Sequence, residues 1–157
     1  MKILASVDFS DITEKVLEQC KILSKAMTAE VFLVHVAEEN SEYIIYDYGY
    51  NYDSSVMISS LEPSEIRDQL AQRFHNEHKN LQEYADELRK EGVKCTALMV
   101  QGPCVKMLLN EVDKLSVDFI IVGSHGKGAI SQILLGSTSK DLIKESPIPI
   151  YLVSADK

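Results

Sequence analysis

The chain has 157 residues, 45% apolar and 25% charged, and its 16 basic and 24 acidic residues give a formal charge of -8. These figures fit one soluble domain, residues 1–157, of ordinary composition. Seven glycines and four prolines exclude a collagen-like or low-complexity chain, and the acidity argues against nucleic acid as a partner, which needs Lys and Arg to displace counterions.

Lys2–Val7 (KILASV) is a short apolar run and a predicted strand. The opening MKILASVDFSD is too short in apolar residues for a signal peptide and reaches Asp8 at once. Asp11–Met27 repeats apolar residues at helical spacing through Ile12, Val16, Leu17, Cys20, Leu23 and Met27. Glu30–Val36 (EVFLVHV) predicts the second strand, with His35 packed inside it.

Residues 38–61 break the rhythm. This connection holds five of the seven tyrosines (Tyr43, Tyr46, Tyr48, Tyr50, Tyr52) and five acidic residues, with no Lys or Arg. A connection of that length is usually functional or mobile. Its acidity argues against a platform for stacking bases, and a lid or an interaction surface is the expectation.

Pro63–Glu91 carries Ile66, Leu70, Phe74, Leu81, Tyr84 and Leu88 on one stripe, opened by Pro63-Ser64 and stopped by Gly92. His75 and His78 lie on it at i and i+3, a spacing that can present two metal ligands. No third Cys or His is near in sequence, although Glu77 could take part, and His78 also fits the stripe between Phe74 and Leu81, so it is expected to be a partly buried structural residue. Val93–Val100 predicts a third strand. Val105–Leu115 predicts a helix entered through Gly102-Pro103. Val117–Val122 (VDFIIV) predicts a fourth strand, Gly136–Glu145 a short helix and Pro147–Val153 a last strand.

Strands alternating with helices imply an α/β fold, with a parallel sheet covered by helices on both faces. In such sheets ligands sit beyond the carboxyl ends of the strands, where the strand order reverses. That rule singles out Val7-Asp8, Val36-Ala37, Gly102 and Val122-Gly123. No apolar run approaches the roughly 18 residues of a membrane span. The three cysteines, Cys20, Cys95 and Cys104, form no CxxC pair. They read as free thiols of a reducing compartment, and a cytoplasmic location is expected.

Four of the seven glycines lie between 123 and 136, in Gly123-Ser124-His125-Gly126-Lys127-Gly128 and then Gly136-Ser137-Thr138-Ser139. Glycines after a buried strand let the backbone approach a ligand, and successive N–H groups form an anion-binding concavity. The hydroxyls of Ser137, Thr138 and Ser139 open a helix, whose positive end also favours phosphate. A Walker A loop is excluded because Ala129 follows Gly128, and a GxGxxG fingerprint from Gly126 fails at Ser131.

Gly123-xx-Gly126, nine residues, then Gly136-Ser137 resembles the G-2x-G-9x-G-(S/T) signature of the universal stress protein family, in its ATP-binding branch. The flanks DFIIVGSHGKG and LLGSTSKDLIKESPIPIYLV are similar as well, as are KILASVDFSD, VFLVHVAEE and MVQGP. The resemblance covers nearly the whole chain outside about 40–62. It implies a five-stranded parallel sheet of order 3-2-1-4-5, Rossmann-like and similar to the adenine nucleotide alpha hydrolases.

The resemblance also implies a site for ATP. Val122, Gly123, Ser124 and Gly126 would hold ribose and phosphates, and Lys127 would either add charge to a phosphate or stand in solvent as a loop lysine. Gly136, Ser137, Thr138 and Ser139 would take the outer phosphates. Asp8 would contact ribose or a Mg²⁺ ion beside the phosphates. Val36 would present backbone groups to adenine, with Ser6 and Val7 on the same wall. A homodimer through the apolar strand 148–153 is implied too. The function implied is a nucleotide-dependent switch or sensor in stress response. The alternatives are a slow ATP-hydrolysing enzyme and a dimeric interaction protein indifferent to nucleotide. For the enzyme, no positioned base, arginine finger or Walker B pair is readable.

Overall fold

The computed structural model of the protein describes residues 1–37, 63–124 and 135–154. Its strands are β1 (Lys2–Ser6), β2 (Glu30–Ala37), β3 (Cys95–Gln101), β4 (Phe119–Gly123) and β5 (Ile150–Val153). The helices between them are α1 (Thr13–Met27), α2 (Pro63–Lys90), α3 (Cys104–Leu115) and α4 (Ser137–Glu145). All strand pairs are parallel, and the order is β3-β2-β1-β4-β5, as the family resemblance implied. The Tyr- and acid-rich connection 38–61 lies outside the described residues.

β1 is central because both of its faces are apolar. Ile3, Leu4 and Ala5 are fully buried, which is the condition for a strand covered on two sides. Alternation along the strands divides the core in two. Ile3, Ala5, Val31, Leu33 and Ile121 pack with Val16, Cys20, Leu81, Ala85 and Leu88 of α1 and α2. Leu4, Phe32, Val34, Ile120 and Val122 pack with Leu108, Val112 and Leu142 of α3 and α4.

The helix ends follow from local chemistry. α1 stops at Thr28, which takes a left-handed conformation and returns a backbone bond to the Ser24 carbonyl. α2 stops before Gly92, at φ +84°, where glycine carries no Cβ penalty. Gly102, at φ +133°, turns the chain from β3 into α3, and its N–H donates to the Ala37 carbonyl at 3.2 Å. A Cβ there would lie 3.2 Å from the Met107 side chain.

Candidate functional site

The register fixes what meets at the carboxyl end of the sheet. Ala5 pairs with Ile121, which brings Val7 level with Gly123. Ser6 pairs with Val34, so Asp8 comes level with Val36. The strand order reverses between β1 and β4, where the crevice of such a sheet opens.

One wall is the turn from β1 into α1. Val7 is buried, and its N–H donates to the Val34 carbonyl at 3.0 Å. Asp8 is half-buried. Its Oδ1 accepts from the Ser10 N–H at 3.1 Å and from the Ser10 hydroxyl at 2.5 Å. That is an Asx turn, and α1 itself has no side-chain cap at Ile12. Phe9 sits at φ +59°, a conformation uncommon for a bulky side chain, which turns its ring onto His35 with centroids 4.3 Å apart. Behind Phe9 lies Tyr84 of α2, at 6.2 Å. Burial first, then Glu14, Glu87 and Glu83, push the Tyr84 phenol above its usual range, so it is an uncharged neighbour.

His35 is more than a packed core residue. Its Nδ1–H donates to the Val7 carbonyl at 2.9 Å, and its Nε2 faces Glu77 Oε2 at 3.6 Å. Both side chains are nearly closed to solvent, at 6% and 12% exposure. Arg73 holds the other carboxylate oxygen of Glu77 at 2.9 Å. The expectation for His78 is corrected here. His75 and His78 are both exposed, and Glu77 is the residue of that segment turned inward. The stripe steps from Phe74 to Glu77 and then to Leu81, a choice of three then four residues that periodicity leaves open.

The opposite wall is backbone and hydroxyl. Ser124 N–H donates to the Val153 carbonyl at 2.7 Å, and Gly136 N–H donates to the Ser124 carbonyl at 2.7 Å. Ser139 is buried, and its hydroxyl donates to the Gly123 carbonyl at 2.5 Å. These bonds draw the start of α4 against the end of β4. Ser137 is exposed and Thr138 half-buried there, and no side chain caps the helix at Gly136. The first N–H groups of a helix have no partner within it.

Ser6, Val7, Asp8, Val36, Val122, Gly123, Ser124, Gly136, Ser137, Thr138 and Ser139 thus lie at the carboxyl ends of β1, β2 and β4 or at the start of α4. Val36 and Val122 are buried on the α3–α4 side of the sheet. Gly126 and Lys127 lie outside the described residues. Among the described residues no cluster of three or more His, Cys, Asp or Glu is placed to hold a metal. None of the described helices is long and apolar enough to cross a membrane. What the sequence did not reveal is that His35, expected only to be packed, faces Glu77 behind the Asp8 turn.

The model of the universal stress protein family matches residues 1–154. The chain belongs to the universal stress protein family. It is 30% identical over 154 residues to universal stress protein MJ0577 of Methanocaldococcus jannaschii, covering 97% of this chain and 93% of that one. The solved MJ0577 structure superposes with a TM-score of 0.77, covering 99% of this chain and 96% of the other, at 29% identity. Two more distant universal stress proteins share the fold and were solved with nucleotides. One, from Archaeoglobus fulgidus, is in complex with dAMP (TM-score 0.62, 17% identity, 98% of each chain). The other is in complex with cAMP (TM-score 0.66, 18% identity, 99% and 98%).

Proposed function

We propose that this universal stress protein binds ATP with Mg²⁺ in the crevice between the ends of β1 and β4, and works as a nucleotide-dependent switch in the cytoplasm. The carrying observation is the tie between β4 and α4. Gly136 N–H on Ser124 and the Ser139 hydroxyl on Gly123 hold a helix N-terminus beside a glycine-rich strand end. Such an arrangement offers N–H groups and a positive dipole end to phosphate without net charge. Ser137 and Thr138 add hydroxyls, while Ser139 serves as the brace.

The donor set fits the ligand. Asp8, on the facing wall, adds a carboxylate to a crevice that would hold phosphates. A carboxylate facing phosphates calls for a cation between them, which is the part Mg²⁺ would play when bound. Val36, buried at the end of β2, would present backbone groups to adenine, with Ser6 and Val7 at the end of the adjacent β1. The nucleotide complexes of the two distant family members support the same class of ligand.

The signal would leave through β5. This strand ends the sheet, its Tyr151 and Leu152 are each 40% exposed, and Ile143 of the neighbouring α4 is 51% exposed. An apolar edge of that kind pairs with another chain, and a two-fold antiparallel pairing would make a homodimer. Ser124 N–H bonds to Val153, so an ordered phosphate loop pulls directly on this strand.

The test is to denature the purified protein and identify any adenine nucleotide released, with a parallel thermal titration in ATP and Mg²⁺. Ligand at 100 times its Kd should stabilise by about 2.7 kcal/mol. No nucleotide and no shift would defeat the reading. Single-turnover assays of wild type and Asp8→Asn separate a binding module, which turns over no faster than buffer, from a slow ATPase.

A further inference from the structure

We propose that His35 is the positioning residue for Asp8, acting through the Val7 carbonyl, with Glu77 of α2 holding its ring in register; this rests on the nucleotide-binding reading above. A backbone carbonyl only accepts, so the 2.9 Å contact with Val7 requires the proton on Nδ1. The bond fixes the peptide that leads directly into Asp8. The Phe9 ring, folded back onto the imidazole at 4.3 Å, fixes the peptide that leads out of it. Asp8 is therefore gripped on both sides by one side chain from β2.

A second observation sets this wall apart. Among the described residues, the buried side-chain atoms without a hydrogen-bond partner are Thr13 Oγ1, His35 Nε2 and Glu77 Oε2. All three lie behind the Asp8 turn or at the start of the helix it feeds. Buried orphan polar atoms are rare and costly. A His–Glu pair that served packing alone would be replaced without loss by apolar residues of similar volume. Here the cost falls on the one ring nitrogen that faces away from Val7. Glu77 Oε2 stands 3.6 Å from Nε2 and Glu77 is itself held by Arg73, so that edge of the ring is confined where Nδ1 reaches the carbonyl.

Two amides separate this role from packing. The amide nitrogen of Asn lies as many bonds from Cα as Nδ1, and that of Gln as many as Nε2. His35→Asn keeps a donor for Val7, whereas His35→Gln moves it toward Glu77. Three quantities are read on each variant: melting temperature, Kd for Mg²⁺-ATP, and hydrogen exchange of the Ser10 amide without nucleotide. That amide bonds Asp8 Oδ1 and reports the turn directly. Both His35 variants should melt earlier. Only His35→Gln should weaken ATP, by about tenfold, the worth of one hydrogen bond, with faster Ser10 exchange.

Equal loss in the Asn and Gln variants would overturn the proposal. Unchanged Ser10 exchange in His35→Gln would overturn it too. If wild type itself fails to bind ATP, the nucleotide reading falls, and Ser10 exchange still decides whether His35 holds the turn.

Discussion

The two walls of the crevice are built on opposite plans. The β1 wall is set by side chains reaching from the core, with His35, Glu77, Phe9 and Tyr84 stacked behind the turn that carries Asp8. The β4 wall is set by backbone and hydroxyls, with Gly123, Ser124, Gly136 and Ser139 bonded to one another and no buried charge among them. The first plan fixes one carboxylate through a costly buried pair. The second presents many weak donors through a chain that glycine lets come close. A metal-bearing group needs one placed anion, and a phosphate chain needs several neutral donors, so each plan matches its share of the proposed ligand, Mg²⁺-ATP.

The sharpest way to break that division is on the β4 side. Gly126→Val puts a β-branched side chain into the phosphate loop and should abolish ATP binding while leaving the melting temperature as in wild type. Calorimetry and a melting curve check both halves. If affinity survives, the glycine wall is not the phosphate wall.

Ser139→Ala removes the brace rather than a ligand. The buried Gly123 carbonyl loses its hydroxyl partner, so stability should fall by about 1–2 kcal/mol in urea unfolding. Affinity should fall with it, because α4 is then held to β4 by the Gly136–Ser124 bond alone of the two ties described. Unchanged stability would show that the start of α4 is anchored elsewhere.

Asp8→Asn tests the other plan. The amide oxygen can still accept from Ser10, so the turn should keep its stability to within about 0.5 kcal/mol. The advantage that Mg²⁺ gives to ATP should disappear, read as equal Kd values with and without the metal. A metal dependence left intact would remove Asp8 from the site.

The smallest effect is expected away from both walls. Glu91 is fully exposed, and its hydrogen bond and charge contact with Lys21, joined by Lys25, hold its carboxyl below the usual range. A lowered carboxyl contributes above its ordinary titration range and loses that contribution as pH falls through it. Glu91→Gln should therefore slightly flatten the acid side of a stability–pH curve, less so in high salt, and leave ATP affinity untouched.

The sheet was legible in the sequence because its strands are short apolar runs between periodic helices, and the order followed from the family resemblance. Edges were harder. The last strand reads as starting at Pro147 but begins at Ile150, since Pro147 and Pro149 bring no N–H to a ladder. The β4 wall was legible as a cluster of glycines and hydroxyls. The division of labour inside it was not, because nothing local distinguishes Ser139, which braces Gly123, from Ser137, which is exposed. The β1 wall was legible as Ser6, Val7 and Asp8, but not in what braces it. Glu77 read only as a possible third ligand beside His75 and His78, and His78 as the stripe residue, because the partner that makes an inward carboxylate sensible, His35, comes from a strand on the other side of the Tyr-rich connection.

The central claim is that one adenine nucleotide sits between these two walls. Calorimetric titration of nucleotide-stripped protein with ATP and Mg²⁺ tests it most directly. The account predicts saturable binding at one ATP per chain, lost in Gly126→Val and weakened about tenfold in His35→Gln. No saturable heat and no rise in melting temperature for wild type would contradict it.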